Sequence, residues 1–155
     1  MDEIKEIVRI YNEEWSVNIM DNIKFESAEH KKLFMEFLKK VRHLDSYHMM
    51  IAYLFTLDTS CRYHIDDVFD FGGDGIKRDG LLKAWQTSTS ARVTRLAFNL
   101  WNGCCSDGTG DVSPDGYDLP QAEFLPDEIF CDSLAEFFFE AIKLRYPQYF
   151  SVEQP

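Results

Sequence analysis

The side chains best placed for chemistry are two arginines one helical turn apart, Arg92 and Arg95, with Asn99 a further turn along. Guanidiniums at that spacing can grip a phosphate or carboxylate through paired hydrogen bonds, which makes Arg92, Arg95 and Asn99 a candidate anion site. They also have a bland use. The chain holds 27 Asp and Glu against 16 Lys and Arg, so pairing of these arginines with its own carboxylates, for instance on the last helix, outranks a ligand site.

Cys61-x-x-His64 has the i, i+3 spacing that places a thiolate and an imidazole on one metal, and Cys104 or Cys105 would complete a zinc set. With Asp66 or Asp67 nearby, the same Cys61 and His64 would serve as nucleophile, base and orienting acid. A strong zinc signal needs two paired motifs, and one is present. Isolated Cys is more often a small buried hydrophobe, so neither catalytic residue nor metal nor cofactor is assigned. Asp111-Val112-Ser113-Pro114-Asp115-Gly116 matches the first, third, fifth and sixth positions of an EF-hand loop. The twelfth position, which must supply a bidentate Glu, is Ala122, and Pro114 and Pro120 stiffen the backbone; a solvated turn is expected there. Phosphate-loop, dinucleotide-binding, His-Glu-x-x-His and Gly-x-Ser-x-Gly signatures are all absent from the sequence.

Charge is the stronger signal. The formal net charge is −11, and between Arg95 and Lys143 there is no basic residue. That interval carries Asp107, Asp111, Asp115, Asp118, Glu123, Asp127, Glu128, Asp132, Glu136 and Glu140. Direct nucleic-acid binding is disfavoured there, because phosphate contacts need a basic footprint. A charge run usually forms a solvated face; its functional use is to attract a basic protein and speed encounter. The candidate partner-binding surface is accordingly Asp107, Asp111, Asp115, Asp118, Asp127, Glu128, Asp132, Glu136 and Glu140. A nucleic-acid enzyme with a Lys/Arg-lined groove is such a partner.

The elements that must position these groups read as helices. At 155 residues, with 45% hydrophobic and 15% aromatic side chains, one ordered domain spanning 1–155 is expected. Ile4, Ile7, Val8, Tyr11 and Trp15 make a first amphipathic stripe. Ser27 caps a second helix with Leu33, Phe34, Phe37, Leu38 and Val41 inward, and Asp45 or Ser46 caps a third that is apolar all round. Residues 68–77 read as a short β-hairpin. Leu81, Leu82 and Trp85 suggest a short helix, and Ser88 or Ser90 starts a longer one that Gly103 stops. A loop runs from Cys104 to about Pro126, and the last helix carries Phe130, Leu134, Phe137, Phe138, Ala141 and Ile142 inward, ending before Pro147. The fold class is mainly α: a compact helical bundle of about five to six helices with that hairpin.

The N-terminus lacks the basic start and apolar run of a secretion signal, and the longest apolar run, Met49 to Leu57, is too short to cross a bilayer. Four cysteines, two of them adjacent, fit reduced thiols in a cytoplasm. No membrane association is expected.

The segments Ile65-Asp-Asp-Val-Phe-Asp70-Phe71, Ile76-Lys77, Leu81-Leu82-Lys-Ala-Trp85 and Ser90-Ala-Arg92-Val-Thr-Arg95-Leu-Ala-Phe-Asn99-Leu-Trp-Asn102-Gly103 resemble a family of small uncharacterised proteins of Gram-positive bacteria and their phages. Its members are known only as carrying a domain of unknown function. The resemblance covers most of the chain and implies a compact core over 27–150, an N-terminal helix within 1–26 as an addition, and a bacterial host cell. It brings no activity. By association with small acidic phage proteins it favours a non-enzymatic acidic binding protein, acting on a nucleic-acid-binding defence nuclease in the manner of an anti-CRISPR inhibitor. The competing expectation is a small enzyme or anionic-ligand-binding protein centred on Arg92, Arg95, Asn99 and Cys61/His64.

Overall fold

The computed structural model describes residues 22–150; the first predicted stripe, Ile4 to Trp15, lies outside them. The described chain is mainly helical with one small antiparallel sheet, as the sequence pattern predicts. Its organising element is α2 (Ser46–Leu57), enclosed by α1 (Ala28–Leu38), α5 (Ser88–Asn102) and α7 (Ala135–Arg145). Every residue of α2 from His48 to Leu57 is buried. That is the physical outcome of a helix with no polar face: any orientation that left one side in water would expose Met, Leu or Phe. Each such side chain is worth about 1.5–3 kcal/mol when fully buried.

Local signals set the ends of these helices. The Ser27 side chain accepts the His30 amide at the start of α1, and Asp45 accepts the His48 amide at the start of α2. For α5 the cap is Thr87, one residue ahead of the expected serine, because Thr87 and Ser90 satisfy each other's backbone in a capping box. Gly103, at φ 78°, ends α5 in the left-handed conformation that glycine adopts without strain.

The stretch after α2 is more finely divided than periodicity reveals. It holds two four-residue helices, α3 (Thr59–Arg62) and α4 (Ile65–Val68). The hairpin follows as β1 (Phe69–Asp70) and β2 (Gly75–Ile76), with Phe69 opposite Ile76. The helix expected at Leu81, Leu82 and Trp85 is instead a 3-10 turn, Arg78–Leu82, with Trp85 beyond it. The close packing of that turn requires glycine at position 80, since a Cβ there would run into the Asp67 carbonyl oxygen. The last helix also starts later than Phe130. Pro126–Ile129 forms its own turn, α6, and Asp132 accepts the Leu134 amide just before α7 begins.

Two buried histidines hold α2 to its surroundings, with pKa values displaced in opposite directions. His30 Nε2 donates to the Tyr53 carbonyl at 2.8 Å, because a carbonyl only accepts, and Nδ1 receives the Glu26 amide. Burial holds His30 neutral, with its pKa down at about 4. His48 lies between two carboxylates, Asp45 Oδ1 and Asp74 Oδ1, each at 2.7 Å. Burial works against its charge, yet the hydrogen bonds it donates to Asp45 and Asp74 raise its pKa above the ordinary value. The Asp74 contact ties the N-terminus of α2 to the β1–β2 turn, where Asp74 itself stands at φ 56°. His43 and Trp101 pack against the same imidazole.

These two groups give opposite pH responses. His30, whose folded pKa is depressed, contributes stability above its unfolded value near 6.5 that is lost as pH falls toward 4; from pH 7 to pH 5 the loss is about 2 kcal/mol. His48, whose folded pKa is raised, contributes stability that is complete below about 6.5 and disappears as pH rises through its folded value. Urea unfolding as a function of pH should therefore show an alkaline decline in the wild type that His48→Gln lacks. An acid decline should persist in that variant. Parallel wild-type and variant curves above neutrality would remove the assigned role of the Asp45–His48–Asp74 contact.

Candidate functional site

The acidic run from Asp107 to Glu140 divides in two once its partners are visible. Four of its carboxylates engage the chain's own cations. Asp118 meets Arg78 at 2.5 Å, Glu136 meets Lys24 at 2.6 Å, Glu140 meets Lys143 at 3.2 Å, and Asp132 meets Arg92 at 3.2 Å. The Asp132 side chain is only 3% exposed. It also accepts the Thr89 hydroxyl and the Leu134 amide, so it is an interior brace and not part of any contact surface.

Asp111, Asp115, Glu123, Asp127 and Glu128 are exposed, and among the described residues their carboxylates have no ion pair or side-chain hydrogen bond. Asp107 stands between the two groups. Burial opposes its charge, but hydrogen bonds from the Thr109 hydroxyl and amide and from Gln121 hold the carboxyl below the usual range, helped by Arg95.

The loop that carries Asp111 and Asp115 is a built hairpin. Backbone hydrogen bonds join Leu119 N to Asp111 O and Ser113 N to Tyr117 O, and Val112 bridges to Asp118. Its tip closes through Gly116 N to Ser113 O, with Gly116 at φ 86°. At its base, Gln121 N bonds Cys105 O, Asp107 N bonds the Gln121 side chain, and the Arg78–Asp118 pair ties it to the 3-10 turn. On this frame Tyr117 is 76% exposed, Val112 58% and Leu119 45%, with Leu125 exposed just ahead of α6. The hairpin is what the partial calcium match turns into. Among the described residues no group of three or more His, Cys, Asp or Glu is arranged to hold a metal ion.

The competing site does not assemble as the spacing suggests. Arg92 donates Nε to the Glu128 carbonyl and Nη1 to Asp132, which is the internal pairing that the excess of carboxylates favours. Arg95 is half-buried and feels Asp107, while Asn99 donates to the Cys104 carbonyl. Cys61 is buried with its thiol against Thr94 and the Ser90 carbonyl. Burial pushes that thiol up to about 12, in keeping with the small buried hydrophobe that an isolated Cys more often is. His64 turns elsewhere: Nδ1 donates to the Ser60 carbonyl at 2.8 Å and the ring stacks on Trp85 at 4.4 Å.

Sequence reasoning missed the buried guanidinium of Arg62. It donates to the carbonyls of Thr56 and Leu57 at the end of α2 and lines a cavity of about 330 Å³ with His64. The visible signal was a cation five residues past the end of an all-apolar helix whose last carbonyls need donors.

A small helical bundle presenting a braced acidic hairpin belongs with compact α proteins whose irregular segments meet solvent while the helices form the frame. The chain belongs to a family of unknown function, DUF6075, whose family model matches residues 20–155. No curated protein and no solved structure matches it. No helix among the described residues is long and apolar enough to cross a membrane.

The division of the carboxylates can be measured by stability alone. Asp132→Ala removes the acceptor of Arg92 Nη1, the Thr89 hydroxyl and the Leu134 amide and should lower unfolding free energy by about 2–3 kcal/mol. Asp127→Ala, at an exposed unpaired position, should change it by less than about 0.5 kcal/mol. Equal effects in urea titrations would show that the two classes of carboxylate are not distinct.

Proposed function

We propose that this chain is a non-enzymatic binding protein that engages a basic protein partner through the 111–119 hairpin and the adjoining turn at 123–128. One observation carries the reading: Asp111, Asp115, Glu123, Asp127 and Glu128 lack cations of the chain's own, and they flank Tyr117, Val112, Leu119 and Leu125 at exposed positions. Exposed apolar anchors ringed by like charges match a partner with an apolar pocket in a Lys/Arg-lined surface. Tyrosine is a frequent anchor, since it brings a large contact area with little rotamer entropy.

The surface is narrower than the sequence run. Asp132 is withdrawn into the interior, and Asp118, Glu136 and Glu140 are neutralised locally, so attraction rests on the five unpaired groups with Asp107 at their base. A nucleic-acid-binding enzyme offers the complementary groove. A defence nuclease in a bacterial host, inhibited in the anti-CRISPR manner, is the instance we favour; the supporting argument is charge complementarity and the poor fit of this surface to phosphate.

The test is capture from a native host lysate with wild-type bait and with a variant carrying Asp111→Ser, Asp115→Ser, Glu123→Gln, Asp127→Ser and Glu128→Gln. The expected captured protein binds nucleic acid, is displaced by duplex DNA, and loses at least about tenfold in affinity in the five-fold variant and again at about 0.5 M salt. Tyr117→Ser should cost at least about thirtyfold while leaving the salt dependence unchanged. Capture that ignores salt, DNA and all these substitutions would end the proposal.

A further inference from the structure

On another part of the molecule, a cavity of about 330 Å³ opens between α1 and the α3–α4 segment and shares no residue with the hairpin. Its buried cation is Arg62, whose side chain is 6% exposed. Nε and Nη2 are fixed by the Thr56 and Leu57 carbonyls, and Glu26 stands 3.8 Å from Nη2. Nη1 has no acceptor among the described residues. A buried guanidinium with unsatisfied donors is a standing demand for an acceptor.

The adjacent His64 is held in one tautomer. Because Nδ1–H is committed to the Ser60 carbonyl, Nε2 carries the lone pair. The ring plane is fixed by stacking on Trp85, interplanar angle 8°, and Trp85 is anchored through its indole N–H to Asp67 at 2.8 Å. Glu36 and Asp66 also line the cavity, are exposed, and have no side-chain partner among the described residues. Phe37 and Phe71, whose ring centroids lie 4.8 Å apart, supply apolar wall, and Lys40 sits over the Phe71 ring.

We propose that this cavity binds a small zwitterion, with a carboxylate or phosphate group taken by Arg62 and an amine taken by Glu36, Asp66 and the His64 Nε2 lone pair. The charge arrangement selects this class. A multiply charged anion meets the Glu36 and Asp66 carboxylates, and a simple cation meets buried Arg62; a molecule with both signs satisfies each end. The volume lies at the small end of the range for ligand pockets, which suits an amino-acid-sized molecule. This assignment does not depend on the hairpin's partner.

The probes are the common α-amino acids one at a time, phosphoethanolamine as the phosphate counterpart, and acetate, inorganic phosphate and ethylamine as single-ended controls. Each is titrated into the full-length protein and followed by amide and indole NMR shifts. At least one zwitterion is expected to move the amides of residues 62–67 and the Trp85 indole with Kd below about 1 mM, and the single-ended controls to bind at least tenfold more weakly. Whether amino acids or phosphoethanolamine bind decides between the two anionic heads. Arg62→Ala is unsuited because it also uncaps α2. Glu36→Gln and Asp66→Asn are exposed changes that should leave the melting temperature of the free protein unaltered while weakening the zwitterion about tenfold. The proposal falls if no zwitterion moves these signals, if acetate or phosphate binds as tightly, or if both variants bind like the wild type.

Discussion

Burial of α2 on every side from His48 to Leu57 is the constraint on which the rest of the molecule turns. A helix without a polar face can be enclosed on every side, but its terminal amides and carbonyls then lose water and must find partners in the protein. At the N-terminal end the answer is Asp45, which caps the helix and holds His48, whose second nitrogen reaches Asp74 in the β1–β2 turn. At the C-terminal end it is Arg62, which folds back to the Thr56 and Leu57 carbonyls. Asp58, at the same boundary, accepts the amides of Ser60 and Cys61 and so starts α3. The position of the hairpin turn and the burial of a guanidinium both follow from satisfying one apolar helix.

The same logic separates what the sequence discloses from what it conceals. Ser27, Asp45 and Gly103 act on backbone within a few residues, so their caps are readable, as is an apolar run long enough to rule out a solvated face. The four-residue helices α3 and α4 are too short to display a period, and the 3-10 turn at Arg78–Leu82 depends on how closely Gly80 approaches Asp67. The site is still less local. Arg92 and Asp132, like Arg78 and Asp118, lie 40 residues apart, and His48 and Asp74 lie 26 apart. Spacing rules that see one helical turn cannot register such pairs. Cys61 illustrates the cost: its i, i+3 relation to His64 is real, yet the thiol faces α5 while the imidazole faces Trp85.

Net charge is likewise a poor guide to surface charge. Residues 96–142 contain ten acids and no base, but cations of Lys24, Arg78 and Arg92 reach in from other parts of the chain, and Lys143 pairs with Glu140 one turn away on α7. The paired carboxylates sit where segments must be fastened together. Asp118 fastens the hairpin to the 3-10 turn, Asp132 fastens the approach to α7 onto α5, and Glu136 fastens α7 to the segment before α1. Exposed pairs such as Lys24–Glu136 add little stability individually, yet they decide which carboxylates are left over for an outside cation.

That remainder is divided between the 111–119 hairpin, which carries Asp111 and Asp115, and the adjoining turn, which carries Glu123, Asp127 and Glu128. Association costs more when a loop must be ordered on contact, and a hairpin already closed by its own backbone bonds and tied down through Arg78 avoids most of that cost. Rigidity also fixes the relation between anchor and rim. Tyr117 and Asp115 flank Gly116 at the tip, so a pocket that accepts the phenol must place its cations within a residue or two of a defined carboxylate. Diffuse negative charge would attract any basic surface equally. On the proposed reading, a charged hairpin with a fixed aromatic would discriminate among basic surfaces, because only a partner with an apolar recess in register with its lysines and arginines would satisfy both parts at once.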